Sequence, residues 1–241
     1  RGWRARRPSK DQLAFARLLW SVFQKSLDYF GVGSRIVGMD RSLTSHIRRD
    51  IGKKIVLLSG PRQAGKTTLA RAVARDHDYF NLDAAEDRAV LDRKSWRRDC
   101  DLVVFDELHK MPAWKSWLKG VYDTRGLNPP IIVTGSSRLD VARRTGDSLA
   151  GRFFAYRLHP LDVKEAAAAA PPAEALERIL RVGGFPEPFL SGDDEFYGRW
   201  KRSHLDIILR QDLIDLETVR DITSIETLLE MMRHRVGSPV S

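Results

Sequence analysis

The sequence predicts an α/β fold in which a mainly parallel five-stranded sheet lies between two layers of helices, followed by a small all-helical subdomain. Three observations carry this expectation. Ile55 to Leu58 is a continuous apolar run with β-branched members, the pattern of a strand covered on both faces. Gly60, Gly65, Lys66 and Thr67 follow at the spacing of a phosphate-binding loop, and Leu69, Ala70, Val73 and Ala74 then repeat at helical spacing. Asp101-Leu-Val-Val-Phe-Asp-Glu107 supplies a second strand, which ends on two carboxylates.

Strand, glycine-rich loop and helix in this order turn backbone N–H groups and a helix N-terminus toward a polyphosphate. Gly60, Pro61, Arg62, Gln63, Ala64, Gly65, Lys66, Thr67 and Thr68 are the residues expected around it. Lys66 would reach the terminal phosphates and the Thr67 hydroxyl would ligate magnesium. In a parallel sheet the strand ends that carry the loop and the acidic pair share one edge, where ligands bind. Asp106 would then hold the magnesium, and Glu107 would polarise the water that attacks a γ-phosphate.

The rest of the chain fills in around this pair of motifs. Asp11 to Phe30 has apolar residues at helical spacing behind a basic arm, so residues 1–38 are read as arm and amphipathic helix, outside the core. Residues 41–52 look like a short helix leading into the first strand, and Tyr79 to Leu82 like a short strand. Pro112 opens a helix whose Trp114, Trp117, Leu118 and Val121 form one apolar face, read as core and not as a base-stacking platform. Ile131 to Thr134 is a further strand, ending in Gly135-Ser136-Ser137; these hydroxyls are either γ-phosphate sensors or turn residues. A helix from Leu139 and a strand from Phe153 to Leu158 complete a core over 39–165. Arg152, just before that strand, either reaches a γ-phosphate in its own or a neighbouring subunit or pairs with Asp147 or Glu165 on the surface.

Five strands with the acidic pair on the third fit the P-loop NTPase three-layer αβα sandwich, in the branch that inserts an extra strand between loop strand and acidic strand. No Asn-Lys-x-Asp guanine reader occurs, which argues against a GTPase. Residues 166–172, alanine-rich and closed by two prolines, are the expected linker, and 173–241 the helical lid, which nothing remains to cover. A formal charge of +9 permits an acidic partner, but Arg1, Arg4, Arg6, Arg7 and Lys10 carry five of the nine, so bulk charge does not argue for DNA. No apolar run reaches transmembrane length, and the single Cys100 suits a reducing, cytoplasmic setting.

Taken together, Gly-Pro-Arg-Gln-Ala-Gly-Lys-Thr-Thr (60–68), Asn-Leu-Asp (81–83), Val-Val-Phe-Asp-Glu-Leu-His-Lys (103–110), Thr-Gly-Ser-Ser (134–137), Ser-Leu-Ala-Gly-Arg (148–152) and Gly-Gly-Phe-Pro-Glu-Pro (183–188) resemble the prokaryotic AAA-type ATPases with a C-terminal domain of unknown function. The resemblance spans 53–241. It implies an ATP- and magnesium-binding core that hydrolyses ATP to ADP, with Glu107, Lys66, Arg152 and a sensor among 134–137, here Ser136, as its catalytic groups. It lifts Arg152 above a surface role, in cis or in trans. His109 stands where a glutamine is more usual and Asp147 where a glutamate is. Family members continue past this point into a winged-helix-like segment and a further domain, so the resemblance implies a truncated C-terminal region. The alternative is a nucleotide-gated interaction or DNA-associated module with little turnover, working with a protein partner or a second copy of itself.

Overall fold

The computed structural model describes residues 41–136, 139, 149–208 and 222–233. The arm and helix expected over 1–38, most of the helix expected from Leu139, Ser137, Asp147 and everything after Arg233 lie outside these residues. The first half of the chain alternates helix and strand: α1 (Ser42–Asp50), β1 (Ile55–Ser59), α2 (Lys66–Ala72), β2 (His77–Asn81), α3 (Ala85–Arg93), β3 (Leu102–Asp106), α4 (Trp114–Arg125), β4 (Ile131–Thr134) and β5 (Phe153–Arg157). The strands form one sheet in the order β2-β3-β4-β1-β5, and every neighbouring pair is parallel. β4 therefore sits between the loop strand β1 and the acidic strand β3, as the strand count predicts.

Side-chain alternation explains the layers. Ile55, Leu57, Val103, Phe105, Ile131 and Val133 face one side and pack under Leu91, Trp96, Trp114, Leu118 and Val121. Val56, Leu58, Leu102, Val104 and Ile132 face the other, beneath Ile47, Leu69, Ala70 and Val73. Thus α1 and α2 cover one face while α3 and α4 cover the other. The three central strands are wholly buried, which is why they read as unbroken apolar runs; the edge strands β2 and β5, half-exposed for the most part, mix aromatic with polar residues. Phe105 is the hub of the second face: its ring meets Trp96 at 5.1 Å and Trp117 at 5.5 Å, both edge-on. The tryptophan stripe is core.

After the sheet come α5 (Val163–Ala166), α6 (Pro172–Val182), α7 (Pro186–Ser191), α8 (Asp194–Ile207) and α9 (Ile222–Arg233). In the segment 166–172, read from sequence as a linker, Ala166 closes α5 and is fully buried with Leu161, Ala175 and Phe189, whereas Ala168, Ala169, Pro171 and Pro172 are exposed. The chain divides into two compact units, the first ending at Leu190 and the second running from Ser191. In the second unit Asp193 caps α8 by accepting from the Glu195 N–H, and Trp200 stacks on His204 at 4.5 Å. Among the described residues no helix is long and apolar enough to cross a membrane.

Phe105→Ala would remove the hub of the aromatic cluster. It should lower unfolding stability by about 3–5 kcal/mol, measured by urea denaturation, whereas Phe80→Ala at the partly buried margin of the same cluster should cost clearly less.

Candidate functional site

Gly60 begins the loop directly after β1, and it has to be glycine: its φ is +151°, and a Cβ there would collide with the Leu158 carbonyl at the end of β5. The loop then turns through Gln63 and Gly65, at φ 61° and 92°, into the first turn of α2. Lys66, 8% exposed, lies back across the loop and donates to the Pro61 carbonyl at 2.8 Å. Thr67 Oγ1 donates to Asp106 Oδ2 at 2.8 Å, joining the loop helix to the end of β3.

The register of the sheet makes that meeting possible. Asp106 pairs with Thr134 of β4 and with Asn81 of β2, so the carboxylate stands at the shared C-terminal edge. It accepts two further hydroxyls, from Tyr79 at 2.7 Å on Oδ2 and from Thr134 on Oδ1. Burial and the Asp106 hydrogen bond push the Tyr79 phenol far above its ordinary value, so it stays a donor.

Glu107 follows in the left-handed region, φ 58°, held there by its N–H on the Thr134 carbonyl at 3.0 Å. Its Oε2 lies 3.5 Å from His109 Nε2 and 3.9 Å from Lys110 Nζ, and Lys110 also grips Asp83 at 2.6 Å. Burial raises the Glu107 carboxyl above the usual carboxylate range, against the pull of Lys110. His109 is packed so closely that any side chain at Gly135 would strike its ring. Ser136 is buried, and its Oγ has no hydrogen-bond partner among the described residues.

The structure thus brings together Gly60 through Thr68, Asp106, Glu107 and the Thr134–Ser136 strand end. Arg152 is elsewhere. It precedes β5, its carbonyl accepts the N–H of Ile55 at the start of β1, and the guanidinium forks onto Asp123 at 2.8 and 3.2 Å. That is the opposite edge of the sheet, roughly 17 Å along the strand from Gly60 at the usual rise per residue. The expectation that Arg152 serves the phosphates of its own chain is corrected by this geometry, and so is its pairing with Glu165. Asp123 and not Glu165 is the partner because α4 runs back beside the start of β5.

Sequence spacing missed Tyr79, Thr134 as an Asp106 ligand, and Arg41. Arg41, 8% exposed, spends its guanidinium on Glu165 Oε2 (3.0 Å), the Ala64 carbonyl (3.0 Å) and the His159 carbonyl (2.6 Å). The polar phenol in a strand otherwise meant for the sheet and the isolated arginine before α1 were the only signals.

Among the described residues no group of three or more His, Cys, Asp or Glu side chains is placed to hold a metal. A hydroxyl with a single carboxylate is instead the donor set of a magnesium ion that takes its remaining oxygens from phosphates and water. Loop, hydroxyl and carboxylate fit a magnesium nucleotide, and they define the class: a P-loop nucleotide-binding domain.

Residues 52–167 match the family model described as AAA domain, and residues 173–241 match that described as Domain of unknown function (DUF8612). The first of these identifies residues 52–167 as an AAA-type P-loop domain. It is 27% identical over 207 residues to an uncharacterized protein of Mycobacterium tuberculosis, covering 82% of this chain and 45% of that one. It is 24% identical over 218 residues to an uncharacterized protein of Methanocaldococcus jannaschii, covering 79% and 49%. The chain spans about half the length of the curated relatives it matches. Solved structures with partial likeness include AMPPCP-bound DnaA from Aquifex aeolicus, at TM-score 0.43, 16% identity and coverage of 70% of this chain and 63% of that one. RuvB of Thermotoga maritima follows at TM-score 0.40, 21% identity, 67% and 59%.

The raised Glu107 carboxyl has a signed consequence. A carboxyl whose folded pKa lies above its unfolded value favours the fold when protonated, and that contribution is lost as pH rises through the folded value. Glu107→Gln should therefore raise the melting temperature at pH 7, and the gain should fade by about pH 4, near the ordinary Glu value, as calorimetry at the two pH values would show.

Proposed function

We propose that this chain binds ATP with magnesium and hydrolyses it to ADP and phosphate with water activated at Glu107. The hydrogen bond from Thr67 to Asp106 carries the proposal, because it sets hydroxyl and carboxylate side by side at the mouth of the phosphate loop. Thr67 turns its proton toward Asp106 and leaves its oxygen lone pairs for a metal. These two residues would hold the magnesium, which when bound neutralises charge on the phosphates.

The chain's own groups then divide the work. Backbone N–H groups of the loop orient the polyphosphate, and Lys66 exchanges the Pro61 carbonyl for its terminal oxygens. Glu107 takes the proton of the attacking water; its raised pKa brings it nearer to what a general base at neutral pH needs. Ser136 Oγ orients that water or the γ-phosphate, which supplies the partner it lacks among the described residues. Since Arg152 stands at the far sheet edge, the phosphate it serves would belong to a second copy of this chain, to which it would turn from Asp123. The absence of a guanine-reading motif favours adenine.

A second reading is favoured by one observation. Glu107 is already engaged by His109 and Lys110, so a nucleotide-gated module with slow turnover is its natural alternative. Such a module would capture its protein or DNA partner in one nucleotide state only.

Purified protein should turn over ATP in the presence of magnesium. Lys66→Ala should weaken nucleotide binding at least about tenfold, and Glu107→Gln should bind ATP while losing about 10²–10⁴ in rate; brisk turnover by Glu107→Gln would sink the assignment. Arg152→Ala should keep ADP affinity and lose turnover, and mixing it with the Glu107→Gln protein, whose Arg152 is intact, should restore part of that turnover.

A further inference from the structure

We infer that Arg41 is a positioning residue for phosphate binding: it holds the peptide between Ala64 and Gly65 so that the Gly65 N–H faces the phosphates. The inference rests on the nucleotide reading above and names a residue outside both motifs that carry it.

A trans peptide is planar, with its C=O and N–H on opposite sides. The Ala64 carbonyl is turned to Arg41 Nη1 at 3.0 Å, so the N–H of Gly65 in the same plane points the other way. Gly65 lies at φ 92°, a conformation that side-chain-bearing residues rarely adopt, so the chosen orientation of this peptide is available at little cost. A loop that must bind an anion has to keep its carbonyl oxygens out of the cradle. Arg41 withdraws that of Ala64, and unlike Lys66 on Pro61 it need not let go when the phosphates bind.

Arg41 is suited to this because a guanidinium is planar, permanently charged and rich in donors, so it serves three acceptors from one place. Its Nη2 fixes the His159 carbonyl, just beyond Leu158, whose own carbonyl abuts Gly60. Its Nε meets Glu165 at 3.0 Å with both side chains 8% exposed. Glu165 is itself anchored, its other oxygen accepting the N–H of Ser42 at 2.8 Å. An isolated buried guanidinium would be strongly unfavourable; the carboxylate makes its placement behind the loop tolerable. Both ends of the loop are therefore tied to one charged group 23 residues upstream of Ala64.

Because Arg41→Gln leaves Glu165 buried and unpaired, that variant alone confounds folding with binding. The informative protein is Arg41→Gln/Glu165→Gln, with both charges removed. Full-chain protein is titrated with ADP, inorganic pyrophosphate and adenosine by calorimetry, beside its thermal unfolding. The expected result is a melting temperature near that of the unaltered protein, adenosine affinity retained, and ADP and pyrophosphate affinity reduced at least about tenfold. Double-variant protein that binds ADP and pyrophosphate as tightly as the unaltered chain would overturn the inference and leave the nucleotide reading standing. Failure of the unaltered protein to bind ADP would overturn both. Should the double variant not fold, the Gly65 amide of the unaltered protein decides: on pyrophosphate addition its resonance should shift downfield with the largest change in the loop, and an unresponsive Gly65 amide overturns the inference.

Discussion

One carboxylate organises the candidate site. Asp106 is buried at the end of the interior strand β3, where an unsolvated acid would destabilise the fold by several kcal/mol. Three hydroxyls make it acceptable: Thr67 from the loop helix, Tyr79 from β2 and Thr134 from β4. Hydrogen bonds to charged groups contribute about 1.5–3 kcal/mol each, so the acid also ties three separate segments to one point. The glycine-rich loop helix, β3 and β4 are held at a common edge by this shared acceptor. The same arrangement keeps one Thr67 oxygen available beside a carboxylate, the feature on which nucleotide chemistry would depend.

The close approaches around that edge explain the glycines better than any loop flexibility does. Gly60 lies against the Leu158 carbonyl, and Gly184 lies against the Leu161 carbonyl while its own carbonyl accepts the Leu161 N–H at 2.6 Å. In both places two backbones touch with no room for a Cβ. The Gly-Gly-Phe-Pro turn thereby docks on the segment that leaves β5, which is also the segment Arg41 grips through His159. Loop, β5 exit and the first helices after the sheet form one continuous set of contacts within the first unit. Of the four side-chain-bearing described residues in the left-handed conformation, Gln63 and Glu107 lie in this same region, while Lys94 and Ala113 lie elsewhere.

Legibility in the sequence followed the range of the interaction. The loop and the acidic pair were readable because their chemistry is written in consecutive residues, and the strand inserted between loop strand and acidic strand followed from the count of apolar runs. The stripe of Trp114, Trp117, Leu118 and Val121 was readable as core from helical spacing alone. What escaped were pairings across the fold. Arg41 and Glu165 are 124 residues apart and Arg152 and Asp123 are 29 apart, and no local pattern joins either pair. Tyr79 looked like an ordinary strand aromatic, since only the register of β2 against β3 shows that its hydroxyl meets Asp106. Arg152 was drawn toward the phosphates by its motif, yet it precedes β5 and so stands at the sheet edge where parallel strands begin, not where they end.

The account turns on Asp106 and Thr67 forming a magnesium-dependent phosphate site. The direct measurement is ADP affinity with magnesium and with a chelator, for the unaltered protein and for Asp106→Asn. The amide oxygen of Asn can still accept from Thr67 and Tyr79 while its NH2 donates to the Thr134 hydroxyl oxygen, but the side chain has lost the charge that a magnesium ion requires. The unaltered protein should bind ADP at least about tenfold more tightly with magnesium, and Asp106→Asn should keep its chelator affinity while losing that gain. An equal magnesium gain in both proteins would contradict the account.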